Sequence, residues 1–403
     1  MPESGFPLGA AVTVAELTDD PYPVLRRLRA AEPVSWLPAL ECWLVTRADL
    51  AGQVLRDPRA FTVDDPRFTT ARVVGPSMLS LDGGEHRRHR APFARALRAA
   101  PTADELARVA VSEADSLVSA LAAAGSEAEL RRGLAGPLAV TVMARMLGLG
   151  TPPARLLAWY DAIVAAVSEL SAAEETTAVP APAATAFGEL RAEIEAAVPR
   201  NAQSVLAAAA EDLTPDEVVS NAAVLLFGGI ETTEGMICNA IWQLLRDETA
   251  RRRVRADRSL VAAAVEESLR LEPAAAVVDR FATAGVSLGP AAIARGDLVR
   301  VSLTGANRDP AVFGDPDEFD LDRADGRRHL AFALGPHFCV GERLARAEAR
   351  ASVSALLDRL PGARLDPRRP AAPSGLVFRK PPALHVLWAA EATRSTSSRP
   401  TWR

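Results

Sequence analysis

The stretch Phe332-Ala333-Leu334-Gly335-Pro336-His337-Phe338-Cys339-Val340-Gly341 decides the reading of this chain. It places one cysteine in a glycine-bounded loop immediately ahead of a segment with helical periodicity. There the sulfur meets the positive end of a helix dipole and nearby backbone N–H groups, which favour thiolate over thiol. Such a sulfur is either a nucleophile or a metal ligand. Gly335 and Gly341 let the backbone turn sharply and approach a flat object closely, and Phe332 is placed to cover one face of such a disc. Zinc fits poorly, because the chain holds three Cys and five His with no paired spacing of the CxxC or HExxH kind.

Working outward, the longest element begins at Thr214. Pro215 suits a first helical position and Glu217 completes a capping box. Nothing breaks the helix before Arg246, which gives a rod near 48 Å long. Its middle is apolar almost all round, as expected of a helix through the centre of a protein. Inside it sits Gly228-Gly229-Ile230-Glu231-Thr232-Thr233. Paired glycines cost about 1 kcal/mol each relative to alanine in a helix interior, and a carboxylate in apolar surroundings needs partners. That combination points to function. Glu267 and Arg270 lie three apart on a helix that ends before Pro273, so they share a face and pair.

These segments, in this order, resemble the cytochrome P450 superfamily. The resemblance runs from the His86 region to the Phe378 region. It implies a mainly α fold, a helix-rich single domain over residues 1–390 with small β-sheets, followed by a polar, disordered tail from Glu391 to Arg403. It also implies heme b, with Cys339 as the proximal thiolate ligand of the iron, donating electron density that favours O–O cleavage. Phe332, Gly335, Gly341 and Gly228 would shape the cofactor site. Ala333 stands where many members carry a second glycine, and as the smallest substitute it is expected to matter little. Glu231 and Thr232 match the acid and alcohol that relay protons to dioxygen at the heme. Peroxide-using relatives carry an arginine and a proline there, so this chain is expected to depend on O2 and external electrons.

His86, Arg90, Arg280 and His337 match positions that hold the heme propionates by charge-assisted hydrogen bonds. Glu267 and Arg270 are expected to lock to Arg323 in a later meander. Val224, Phe227, Ala274, Val277, Val278 and Val377 match segments that line substrate cavities, which suits a mostly hydrophobic small molecule. Arg67 and Arg72 are candidates for a substrate carboxylate. Ser171 to Ala186, rich in alanine with Thr176, Thr177, Pro180 and Pro182, reads as a flexible connection between two helices where the family keeps its substrate lid. Arg343, Arg346 and Arg350, with Arg95 and Arg98, form a candidate docking face for an acidic ferredoxin served by a ferredoxin reductase.

Composition narrows the classes. A formal net charge of −5 argues against a nucleic-acid partner. The acidic N-terminus is not a signal peptide, and no window reaches the roughly 18 apolar residues of a membrane span. Cys42, Cys238 and Cys339 are an odd, widely spaced set that fits a reducing cytoplasm better than a disulfide framework. The expectation is a cytoplasmic, monomeric bacterial monooxygenase of secondary metabolism that hydroxylates or epoxidises its substrate. Its rivals are oxidative coupling or dehydrogenation without oxygen insertion, a non-catalytic heme-binding sensor or helper, and a cysteine-nucleophile hydrolase.

Overall fold

A computed structural model describes residues 5–172, 178–201 and 204–389. The helices that build the site are α1 (Gly83–Arg98), α2 (Ala100–Ala124), α3 (Gly136–Leu147), α4 (Pro153–Ala172), α5 (Ala181–Ala197), α6 (Pro215–Arg246), α7 (Val261–Leu271) and α8 (Glu342–Arg359). Residues 173–177 of the lid connection and the Glu391–Arg403 tail lie outside the described residues. The part of that connection from Ala181 onward is helix rather than flexible chain. Pro182 sits in the first turn of α5, where a missing N–H removes no intrahelical bond.

Helix α6 has the bounds its sequence dictates. Thr214 Oγ1 accepts from the Glu217 N–H and the Glu217 carboxylate accepts from the Thr214 N–H, so both halves of the capping box are present. Most of its 32 residues are buried. It crosses the main apolar core, packed against α3 on one flank and α7 and α8 on others. Gly229 makes the α3 contact possible: a Cβ there would collide with Met143 Sδ, Cγ and Cε. Gly228, one residue earlier, has nothing within 4 Å of the same construction. One glycine of the pair serves packing and the other leaves open space.

The strands form small sheets. β1 (Val34–Leu37), β2 (Cys42–Val45), β3 (Phe61–Thr62), β4 (Val277–Ala282) and β5 (Leu298–Ser302) make a five-stranded sheet in the order β1-β2-β5-β4-β3. Only the β2–β5 pairing is parallel. Trp43, 1% exposed, anchors the sheet, its indole N–H donating to Asp297 at 2.8 Å. Short strands at Glu127–Glu129, Arg364–Leu365 and His385–Leu387 form a second sheet beside α6. The architecture is mainly α with small β-sheets.

The meander between β5 and α8 has little regular structure and is held by charge. Arg270 is fully buried and grips both oxygens of Glu267 at 2.7 and 2.9 Å. Its remaining N–H groups donate to the carbonyls of Asn307, Pro316 and Glu318. Arg323 reaches the same Glu267 carboxylate at 2.9 Å. A planar guanidinium fills such a set of acceptors as an ammonium would not. Removing one partner strands a buried charge, so Glu267→Ala is expected to destabilise the fold by about 3–5 kcal/mol in denaturant unfolding.

Glu267 and its neighbour Glu266 also set an acid limit. Burial pushes both carboxyls up, but Arg270 outweighs it at Glu267, and His329 with Arg346 outweighs it at Glu266, which falls to about 2. Groups with depressed folded values lend stability that is complete above the ordinary value of 4.5 and is lost as pH falls toward 2. Unfolding free energy should therefore fall steeply across that window, and Glu266→Gln should flatten part of the slope.

Candidate active site

A cavity of about 270 Å³ lies between α6, the Ala331–Gly341 loop, the start of α8 and the entry to β4. Cys339, Phe332, His337 and Gly341 line it from the loop, Gly228 and Thr232 from α6, and Ala274 and Val278 from the segment leading into β4. The sequence elements quoted above for chemistry thus share one space. The wall is otherwise mostly apolar, with Met143, Met146 and Met236 among its larger side chains.

The loop is tightly tied. The Cys339 N–H donates to the Phe332 carbonyl at 2.9 Å, closing the turn. Gly335 is required twice over: its φ is +71°, and a Cβ would lie 2.3 Å from the Leu55 carbonyl oxygen. Among the described residues, the backbone of Leu55 and Arg56 is what approaches it. Gly341 has open space and faces the cavity instead. Ala333 corrects an expectation, because its φ is +56°, the left-handed region where a side chain is strained. Burial pushes the Cys339 thiol up, and the Gly341 N–H and Arg90 recover only part of the shift. A bound cation at the sulfur would favour the thiolate further.

On α6, Thr232 lines the cavity and its hydroxyl donates to the Gly228 carbonyl at 2.6 Å. Helix α6 keeps α geometry throughout, and this back-bond lies within it beside the glycine. Glu231 is buried and does not border the cavity. Its carboxylate lies 2.8 Å from the ammonium of Lys380, which is also 2.8 Å from Glu234. Sequence reasoning missed Lys380, although a signal exists: it is the single lysine among 46 basic residues, hidden when Lys and Arg are counted together.

The four cationic candidates converge. His86 and His337 are in ring contact, with centroids 4.3 Å apart. Burial, with His337 and Arg90 adding to it, pushes His86 down to about 4. Its buried Nε2 has no hydrogen-bond partner. Arg90 borders the cavity and donates to the Phe338 carbonyl. Strand alternation puts Arg280 on the Val278 face of β4; it is 5% exposed and donates to the Asp279 carbonyl. His337 is held at 2.8 Å by Asp82, which also accepts from Thr62 Oγ1 and the Val63 N–H. Asp82 went unread in the sequence because Leu-Asp-Gly-Gly looks like an ordinary helix start.

Other candidates fall elsewhere. Val277 alternates away from Val278 and packs toward Leu17, Leu25 and Leu44. Val377 is 39% exposed and serves the backbone, its carbonyl accepting from the Ala276 N–H. Phe227 meets Tyr160 at a tilt and Phe378 edge to face, beside the cavity instead of lining it. Arg67 is committed to Asp65, the Gly296 carbonyl and the face of Phe281. Arg346 is not a free docking charge: it binds Glu266 and Glu342 and lies 4.5 Å over the Phe332 ring.

Comparison with known proteins agrees with this geometry. The Cytochrome P450 family model matches residues 189–385. The chain is 37% identical to cytochrome P450 monooxygenase PikC of Streptomyces venezuelae, over 92% of this chain and 90% of that protein. This chain belongs to the cytochrome P450 family. It is also 34% identical to nocardicin C N-oxygenase of Nocardia uniformis subsp. tsuyamanensis, over 95% of this chain and 98% of the other. Among solved structures, P450BioI in complex with a fatty-acyl carrier protein superimposes with a TM-score of 0.81 at 26% identity, covering 93% of this chain and 99% of that one.

The chain is thus a P450 monooxygenase, an enzyme that uses a heme-iron cofactor, O2, redox partners and a small-molecule substrate. The residues present fit a heme. Among the described residues His86 Nε2 has no partner and the buried Arg280 has no carboxylate bonded to it; with the Arg90 guanidinium they offer donors for anionic groups, next to a cavity that holds one cysteine. No described helix is long and apolar enough to cross a membrane. Relief of the strained Ala333 outweighs the added chain entropy of glycine, so Ala333→Gly should raise stability by about 0.5–1 kcal/mol in thermal unfolding.

Proposed function

We propose that the chain uses heme b to hydroxylate or epoxidise a mostly hydrophobic small molecule in bacterial secondary metabolism. The observation that carries this reading is that Cys339 and Thr232 border the same apolar cavity. Cys339 would ligate the iron, and His86, Arg90, Arg280 and His337 would take the two propionates. When bound, the heme supplies one-electron chemistry and activation of dioxygen. The protein's own part is to keep water out with the methionine- and leucine-lined wall, to orient substrate against Val224, Ala274 and Val278, and to move protons.

Thr232 stands at the end of that proton route. Its hydroxyl already donates to the Gly228 carbonyl, leaving its oxygen lone pairs to accept from a donor, while the missing side chain at Gly228 leaves room beside it. Glu231 supplies the acid one residue before. Electrons would enter through the surface beside the cysteine, where Phe338 is 39% exposed and the Arg343 side chain 75% exposed. These suit an acidic ferredoxin, itself reduced by a ferredoxin reductase. The enzyme works as a cytoplasmic monomer, with residues 1–390 as one domain.

Two substitutions test the assignment. Cys339→Ser should abolish the absorbance shift that carbon monoxide produces in the reduced, thiolate-ligated protein. Thr232→Ala should divert NADH-derived electrons from product to hydrogen peroxide, with coupled product formation down by about a hundredfold. Wild-type coupling in Thr232→Ala would remove the relay.

A further inference from the structure

The ammonium of this chain's only lysine, Lys380, is buried between Glu231 and Glu234 of α6. Its Nζ is 2.8 Å from a carboxylate oxygen of Glu231 and 2.8 Å from one of Glu234, yet makes a well-formed hydrogen bond to neither. The ammonium therefore rests between two carboxylates and is ion-paired with both. Glu234 is fully buried and has a second cation, Arg131, on the same oxygen. Burial pushes its carboxyl up, but Lys380 and Arg131 together bring it below the ordinary range. Two acids and two bases thus form a closed, neutral cluster. The cluster's surroundings add little charge. Glu129 is occupied by the backbone N–H groups of Arg131, Arg132 and Leu384, Arg379 turns to the carbonyls of Thr18 and Pro373, and Cys238 is a buried thiol held protonated by desolvation.

The arrangement is asymmetric. Thr232 borders the cavity, whereas Glu231 is turned to Lys380 and does not. Glu231 cannot pass a proton to Thr232 while it is a carboxylate paired with an ammonium. We propose that Lys380 is a positioning residue for the proton relay: it parks Glu231 as a carboxylate away from the cavity and, when Glu231 turns toward Thr232, shifts its charge onto Glu234. This inference rests on the relay reading above.

The step balances. On leaving Lys380 the Glu231 carboxylate loses its counter-ion in apolar surroundings and takes up one proton from solvent water. As a carboxylic acid it gives that proton to the Thr232 oxygen, and the Thr232 hydroxyl gives its own proton into the cavity. Glu231, a carboxylate again, returns to Lys380. Glu234 keeps the ammonium neutralised throughout, so no bare charge is left in the core. A lysine suits this exchange because its compact ammonium slides between two acceptors, whereas an arginine fork would bind one carboxylate with both prongs. That is a physical reason for a chain otherwise basic only through arginine to carry lysine at this one place.

The single lysine makes the test direct. In holoprotein labelled with 15N-lysine, one side-chain ammonium resonance is expected, and both Glu231→Gln and Glu234→Gln should move it. With 7-ethoxycoumarin as an apolar probe substrate and a surrogate ferredoxin and reductase, Lys380→Met should lower product per NADH about tenfold, with hydrogen peroxide making up the difference. It should add no further loss in a Glu231→Gln background. Lys380→Arg, which keeps the charge and the fold, should also lower coupling, because the fork fixes one acid. A resonance blind to Glu231→Gln, full coupling in Lys380→Met or Lys380→Arg, or an undiminished tenfold loss on top of Glu231→Gln would each overturn the proposal. Full coupling in Glu231→Gln alone overturns the relay and this proposal together. Uncoupling in Glu231→Gln with full coupling in Lys380→Met overturns only the role of Lys380.

Discussion

One turn of α7 holds the active-site loop in place. Glu266 and Glu267 are adjacent in sequence, so their side chains leave the helix in different directions and clamp different segments. Glu267, through Arg270 and Arg323, fixes the irregular meander of residues 307–323. Glu266 binds His329 and Arg346, the first just before the Cys339 loop and the second just after it. Asn307, whose carbonyl Arg270 holds, in turn accepts the Leu330 N–H on its side chain at 2.6 Å. The loop's own backbone bonds are few and local: a single 3-10 turn at Gly335–His337 and the closures at Ala333, Phe338 and Cys339. Its shape is imposed by buried charge pairs on a rigid helix, which is how an irregular backbone can present one sulfur atom reproducibly.

Much of this was legible because it depends on local rules. The bounds of α6 follow from Thr214, Pro215 and Glu217, and its burial from apolar residues on every face. The Glu267–Arg270 pair follows from helical spacing. What escaped depends on contacts distant in sequence. Glu266 looks like one more acid in Glu266-Glu267 until His329 and Arg346 are placed beside it. Arg346 reads as a surface cation on an exposed helix, yet a carboxylate 80 positions away and the face of Phe332 take it out of solvent. Val277 and Val278 are indistinguishable in composition, and only the pairing of β4 with β5 decides which faces the cavity. Glu348 is the clearest case: in a charge-rich stretch of α8 it appears solvated, but it is 2% exposed, borders the cavity and is pushed far above the carboxylate range by burial alone.

The glycines show how one residue type answers different demands. Gly335 is fixed by its backbone angle and by Leu55, Gly229 by Met143, while Gly228 and Gly341 leave space where the cavity needs it. Sequence alone marks all four as places of close approach and cannot say what approaches. The charge pattern has the same character. His86, Arg280 and His337 come from three separate segments and gather near one carboxylate, Asp82, which already serves His337, Thr62 and Val63, while Arg90 borders the cavity beside the Cys339 loop. Buried donors left without acceptors, such as His86 Nε2, are unfavourable by themselves and become favourable when an anionic ligand completes them.

The central claim is a bond between the Cys339 sulfur and iron. Iron-edge X-ray absorption on the purified protein measures it without any knowledge of the substrate. The account predicts one sulfur scatterer among nitrogen neighbours of a porphyrin, lost in Cys339→Ser. An iron shell of nitrogen and oxygen alone, or a sulfur scatterer that survives the substitution, would contradict it.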